Sequence, residues 1–478
     1  MPRLVLSVCL VLIVVAPLAA DEPDKPQPRK LTLSPAKSPT SGLRFRLLPE
    51  LLEQRPGNAV EHYKCAAGLF KDKIGNFPEA ALISLDLPLD RMPKDEIRDL
   101  LKKAEPGLAE VEAGTRCESC DWGLTERLRK DAIAARLDGI QEMREAATLL
   151  RLRLRLEVAD GKLDRALVTA RTQLALGRHL ADSPTLISLL VGVAVTNQAL
   201  LGLEEVLQAP GAANLYWSLT ELPRPFVDMR KPLQGERLSC YSLYPGLAEV
   251  ALDLQAGPLT REQLREMTAK YLFFDEALFG GDGRFLNRWL LGLSIARKHE
   301  AAKRALIAAG RPRDKVEAMP PLQVAMLHAF DEYDRHLDAL VKCQSLPYWE
   351  ATPAIDKHER AVRQARVDAR DPTSNAPALP IAPLLLPAVS KVMRGQVRLE
   401  RRLAALRIIE AVRLYAADHD GKLPPSLADI KDVPVPVNPA TGKPFHYAVK
   451  DGVVTLSAPD LPGDTPTARL HYELTLRK

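Results

Sequence analysis

Hydrophobic positions recur at three- and four-residue intervals over most of the chain between about residues 43 and 370, which is the period of amphipathic helices. The clearest case lies at 138–182. Met143, Ala147, Leu150, Leu154 and Val158 form one stripe, Asp160-Gly161 interrupts it, and Leu163, Leu167, Ala170, Leu174 and Ala181 form a second. Glycine commonly ends a helix in the left-handed conformation. The segment therefore predicts two helices of about twenty residues folded into a hairpin. The pair looks tetratricopeptide-like, although the full signature of about 34 residues does not repeat along the chain.

A third helix is predicted to open at Ser183-Pro184, a capping residue followed by proline at the first helical position. It continues as TLISLLVGVAVTNQALLGLEEVL, and residues 183–203 carry no charge. That run is long enough to weigh as a membrane span. Ser188, Thr196, Asn197 and Gln198 interrupt it, and its neighbours are amphipathic, so the pattern favours a central helix buried on all sides. Later helices are predicted at 260–279, where Thr260 and Gln263 have capping-box spacing, at 285–309 and at 321–343. Residues 371–388 (DPTSNAPALPIAPLLLPA) read as a proline-rich boundary.

The pattern then changes. A helix is predicted at 389–418, with a stripe of Leu399, Leu403, Leu406, Ile409 and Val412. Phe445, Tyr447 and Val449 alternate, and Asp451-Gly452 is a strong two-residue hairpin signal. That turn sets Val449 against Val454, Tyr447 against Leu456 and Phe445 against Ala458, all on one face. Leu470, Tyr472, Leu474 and Leu476 alternate as a third strand. The expected fold is mainly α: an irregular helical-hairpin array over 43–370, then a small α+β domain at 389–478 with one long helix on a three-stranded antiparallel sheet.

Residues 404–458 resemble the globular head of type II secretion major pseudopilins. The matching positions are Tyr415, Gly421, Pro424, Leu427, Asn438-Pro439, Gly442, Pro444-Phe445 and Tyr447. The resemblance implies the fold of that head. It does not imply membership of the secretion fibre, because the helix before the head carries Arg394, Arg398, Arg401 and Arg402 and cannot enter an apolar pilus core. The whole chain is also similar to long, secreted, mostly helical proteins of planctomycete-type bacteria. Neither resemblance supplies a catalytic residue.

Composition narrows the classes. With 478 residues, 46% hydrophobic and 27% charged, the chain has material for a substantial core and is neither fibrous nor disordered throughout. Only 5% of residues are aromatic and 26 are glycine, which argues against a large all-β protein. A net charge of +5 from 66 basic and 61 acidic residues does not point to nucleic acid. Residues 1–20 read as a Sec-type signal: Arg3, the apolar run Leu4 to Val15, then small residues before Asp21. Cleavage and retention as an anchor both fit the segment. Residues 21–42 read by composition as a disordered linker. The mature chain is expected to be periplasmic or extracellular, with no transmembrane span.

Candidate chemistry is sparse. Cys65, Cys117 and Cys120 are disulfide candidates for an exported chain, and Cys117-Glu118-Ser119-Cys120 lacks the surroundings of a redox or zinc motif. His328, Glu332 and His336 fall on one helix face and are the candidate metal ligands, although the pattern favours a solvated charged face over a metal site. The aromatic run Tyr216-Trp217 with Arg224 is the candidate binding surface, and a core anchor is the alternative for it. No nucleotide-binding or nucleophile-elbow motif occurs, and no cofactor is implied. The pattern favours a non-enzymatic exported scaffold or binding protein with a protein or envelope partner. A metal-dependent extracytoplasmic hydrolase and an accessory part of a type II secretion or pilus-like system are the alternatives.

Overall fold

The computed structural model describes residues 28–75, 78–132, 135–244, 246–269, 284–368, 371, 373–379, 381–465 and 468–477. The predicted signal segment and the Gly-Gly-Asp-Gly run at 280–283 lie outside them. The chain is mainly helical with a small mixed sheet, and it divides into two compact units. A larger unit combines residues 28–122 with 137–232 and 394–478. A smaller unit combines 123–136 with 233–393.

In the larger unit, the sheet has the order β1-β6-β5-β4, with β1 Arg29–Leu33, β4 His446–Lys450, β5 Val453–Ser457 and β6 His471–Leu476. The hairpin register is the one the sequence predicts, with Tyr447 opposite Leu456 and Val449 opposite Val454. Asp451 and Gly452 both take positive φ, 52° and 78°, as that turn type requires. The three antiparallel strands are joined by a fourth. β1 pairs parallel to β6, with Leu31 opposite Leu474 and Leu33 opposite Leu476. This corrects two expectations: the sheet is not three-stranded, and the segment 21–42 is not a disordered linker where it is described. Its Lys- and Pro-rich composition hides two alternating leucines, Leu31 and Leu33, both buried. A short pair β2 (Arg55–Asn58) and β3 (Cys117–Ser119) stands apart from this sheet.

The helices of this unit pack in sequence order: α1 (Ala59–Lys73) on α2 (Lys94–Gly114), α2 on α3 (Ile140–Ala159), α3 on α4 (Leu163–Ala181), and α4 on α5 (Leu186–Gln208). The stripe residues Met143, Ala147, Leu150 and Leu154 of α3 and Ala170 and Leu174 of α4 are all buried. Helices α4 and α5 approach closely. A Cβ on Gly177 would stand 2.3 Å from Thr196 Oγ1, and one on Gly192 would stand 2.4 Å from the Gly177 carbonyl. Helix α5 is long and apolar enough to cross a membrane by length and composition, and 67% of its most apolar window is buried against the protein. It starts two residues later than expected. Thr185, not Ser183, is the cap, its side chain accepting from the Ser188 amide at 3.1 Å.

The expected boundary at 371–388 is also revised. The final long helix runs from Ile381 to Asp418, beginning inside the proline-rich stretch. Pro383 falls in its first turn, where backbone N–H groups have no intrahelical partner to lose. Residues 389–478 are not a separate domain. Residues 394–478 belong to the larger unit, where β6 takes β1 as a neighbour and Arg413 donates to the carbonyls of Ser34 and Ala212.

The smaller unit is organised by α6 (Arg284–Ala308), α7 (Pro321–Cys343) and α8 (Tyr348–Asp368), with α7 packed on both others. Phe330 of α7 lies under the rings of Tyr241 and Tyr244, at 4.8 and 5.9 Å between centroids. Gln323 is fully buried and bridges the loop before residue 260, accepting from the Leu259 amide and donating to the Gly257 carbonyl. The Thr260–Gln263 capping box forms, and the helix that follows is described to residue 269.

Candidate anion-binding site

The side chains singled out in the sequence do not assemble into a reactive site. Tyr216 is fully buried, donates its hydroxyl hydrogen bond to the Pro434 carbonyl, and lies beneath the Arg407 guanidinium at 5.7 Å. It is the core anchor, not a binding surface. Trp217 crosses it edge-on at 5.2 Å and is 38% exposed. Arg224 turns back to the Thr220 carbonyl at 2.8 Å, beside a cis peptide to Pro225. The three residues therefore present no shared surface: one is inside, one is at the rim, and one caps its own turn.

The His328, Glu332 and His336 face is only partly solvated, with Glu332 and His336 half-buried. His328 is buried, and burial lowers its proton affinity; burial raises that of Glu332. His336 turns to His358 on α8, with the two Nδ1 atoms 3.4 Å apart. Among the described residues, no group of three or more His, Cys, Asp or Glu side chains could hold a metal ion. His336 is thus part of a helix-helix contact. The neighbouring Asp334 is held by Arg237 at 2.9 Å and by the Tyr241 hydroxyl.

The disulfide expectation is also revised. Cys65, Cys117, Cys120, Cys240 and Cys343 are all free thiols. Cys65 faces solvent from α1, whereas Cys117 points inward. Burial pushes the Cys120 thiol up to about 12, which suppresses the reactive thiolate. Nearby, Tyr63 is fully buried and shares a 2.7 Å hydrogen bond with His179, whose proton affinity burial pushes down to about 4.

The larger unit contains a different concentration of charge. The long helix carries Arg398, Arg401 and Arg402 at positions i, i+3 and i+4, which places them on one face. That face meets α5 where its uncharged run ends at Glu204. Glu204 is 2% exposed, and such a carboxylate needs close partners to remain buried. Arg402 donates to its Oε1 through Nε at 3.1 Å and Nη2 at 2.7 Å. Arg29, on β1, donates to Oε2 through Nε at 3.0 Å and Nη2 at 2.5 Å. Tyr472 of β6 adds its hydroxyl at 2.9 Å. Burial works against the charge on Arg402, and the Glu204 carboxylate more than restores it.

A second buried carboxylate organises the same region. Asp464 accepts from Arg398 Nε at 2.5 Å and stands 3.5 Å from Arg401 Nη1. Arg401 also donates through Nη2 to the Pro459 carbonyl at 2.6 Å. Its side chain is 1% exposed, and its buried Nε donates to no acceptor among the described residues. Arg469 pairs with Asp460 at 3.0 Å. These five arginines, with Asn197, Tyr472, Leu470 and Ala468, line one cavity of about 250 Å³. Such a cavity can orient an anion through forked N–H donors. The arginine run was visible in the sequence. Its partners were not, because Glu204 and Arg29 lie far away along the chain.

No family model, curated protein or solved structure matches this chain.

Proposed function

We propose that this protein is an exported, non-enzymatic binding protein whose larger unit takes an anionic ligand in the arginine cavity. The observation that carries this reading is the convergence of five guanidinium groups on one cavity with three carboxylates to pair them. Two positive charges are left for a ligand. Export rests on the signal-like pattern of residues 1–20. The consecutive pairing of α1 with α2 and of α3 with α4 supports a tetratricopeptide-like scaffold around the site. Within this reading, the helix that leads into the pseudopilin-like head supplies part of the cavity wall through Arg398, Arg401 and Arg402, and the head is not an assembly module.

Calorimetry of the mature chain at low salt with a panel of mono- and dianions tests the proposal. Saturable binding of at least one anion, weakened in Arg469→Gln, is the expected result. Binding by none of them at any accessible concentration overturns it.

A further inference from the structure

The arginine cavity distinguishes between classes of anion. Resting on the anion-binding reading above, we infer that its ligand is a tetrahedral dianion of the phosphate class, free or as a monoester. Charge is the first argument. Arg29, Arg398, Arg401, Arg402 and Arg469 are opposed by Glu204, Asp464 and Asp460. The remaining two positive charges match a phosphate group, which carries about −1.5 to −2 at neutral pH. A single carboxylate matches only half of them.

Direction is the second argument. The donors approach from a strand (Arg29), from one helix face (Arg398, Arg401 and Arg402) and from the segment before β6 (Arg469). A planar carboxylate presents its oxygens in one plane, whereas a tetrahedral oxyanion presents acceptors in three dimensions and is the usual partner of several forked guanidinium groups.

The third argument is Arg401. Asp464 and the Pro459 carbonyl hold its two terminal nitrogens, which fixes the plane of the guanidinium. Among the described residues its Nε has no acceptor, although the side chain is 1% exposed. A buried donor of this kind costs free energy until something accepts from it. A cavity of about 250 Å³ is far larger than one water requires, so it has room for a tetrahedral anion and a small esterified group against Leu470 and Ala468.

The test is calorimetry of the mature full-length chain at pH 7.5 with sodium phosphate, sulfate, glycerol phosphate, malonate and acetate. Vesicles containing phosphatidic acid are offered in a parallel sedimentation assay. Phosphate and sulfate are expected to bind saturably, malonate at least ten-fold more weakly, and acetate not at all. As the pH falls from 7.5, phosphate should weaken as its second proton returns, whereas sulfate should not. Glycerol phosphate binding more tightly than phosphate assigns the ester as the ligand, the reverse order assigns the free ion, and vesicle capture assigns a lipid headgroup. Arg401→Gln should lower phosphate affinity at least ten-fold. Because Arg401 also holds Asp464, the partly exposed Arg469→Gln is tested beside it, with circular dichroism confirming the fold. Unchanged phosphate affinity in folded Arg469→Gln overturns the assignment to this cavity. Malonate binding as tightly as phosphate overturns the tetrahedral class but leaves the anion site standing. Binding of no anion overturns both.

Discussion

Glu410 and Arg413 form an ion pair at 2.8 Å in which neither side chain has any solvent exposure. Burial raises the proton affinity of Glu410, and the Arg413 charge opposes that shift. Arg413 spends its other donors on backbone carbonyls, Nε on Ser34 at 2.9 Å and Nη2 on Ala212 at 2.7 Å. One side chain therefore ties the segment after β1, the loop after α5 and the final helix together. Removing one member of a buried pair leaves the other charged and unsolvated, at a cost of about 3–5 kcal/mol. Arg413→Met is expected to destabilise the larger unit by that amount in urea denaturation. The double change Glu410→Leu with Arg413→Met should cost less than the two single changes summed, because it leaves no lone charge. Strict additivity would show that the pair is not coupled.

The ordinary amphipathic elements were legible and the long-range charge pairing was not. The α3–α4 hairpin could be read because its stripes are local and Gly161 marks the turn. The β4–β5 register could be read because Asp451-Gly452 fixes it, so only one face is consistent with burial. β1 escaped because RKLTL has only two apolar residues, and its partner β6 lies at the other end of the chain. The arginine cavity escaped for the same reason. A basic run on a helix looks solvated until Glu204, buried on α5, supplies the opposite charge. Tyr216 was ambiguous because an aromatic pair carries the same signal inside a core and on a binding surface. The complete burial of Tyr216 and its bond to Pro434 decide between them.

The cysteines make a simple prediction. Burial raises the proton affinities of Cys117, Cys240 and Cys343, and pushes Cys120 up to about 12. Only Cys65 is exposed among the described cysteines. Alkylation of the native protein with iodoacetamide at pH 8, followed by peptide mass spectrometry, should modify Cys65 well before the other four. They should react only after denaturation. Cys120 is half-buried, and its reacting as fast as Cys65 would contradict the raised proton affinity that burial gives its thiol.

Acid should weaken the α7–α8 contact in the smaller unit. Burial pushes His358 down to about 4; the neighbouring His336 adds to that shift, and Glu359 opposes it. The unfolded chain takes up this proton near pH 6.5, whereas the folded chain refuses it until about pH 4. Stability is therefore fully present above about pH 6.5, falls as the pH drops, and levels off below about pH 4. Over that range the shift corresponds to about 3 kcal/mol. Denaturation midpoints measured between pH 7.5 and pH 4 should decline less steeply in His358→Gln than in the parent. Equal slopes would mean that His358 titrates normally.

The last prediction joins β1 to the cavity. Among the described strands β1 has a single neighbour, β6, and it is held by the burial of Leu31 and Leu33 and by the Arg477 amide donating to the Leu33 carbonyl at 2.8 Å. Leu33→Asp removes about 1.5–3 kcal/mol of apolar burial and places a carboxylate where Leu33 has no exposure. A strand held along one edge is expected to detach locally rather than unfold the unit. Hydrogen exchange should then quicken at the Arg477 amide while the α4 and α5 amides remain protected. Arg29 leaves Glu204 with the strand, so one of the five guanidinium groups leaves the cavity and phosphate affinity should fall in the same variant. Faster exchange at Arg477 with unchanged phosphate affinity would show that Arg29 contributes to the sheet alone. Unchanged exchange would show that β1 is held by more than its two leucines.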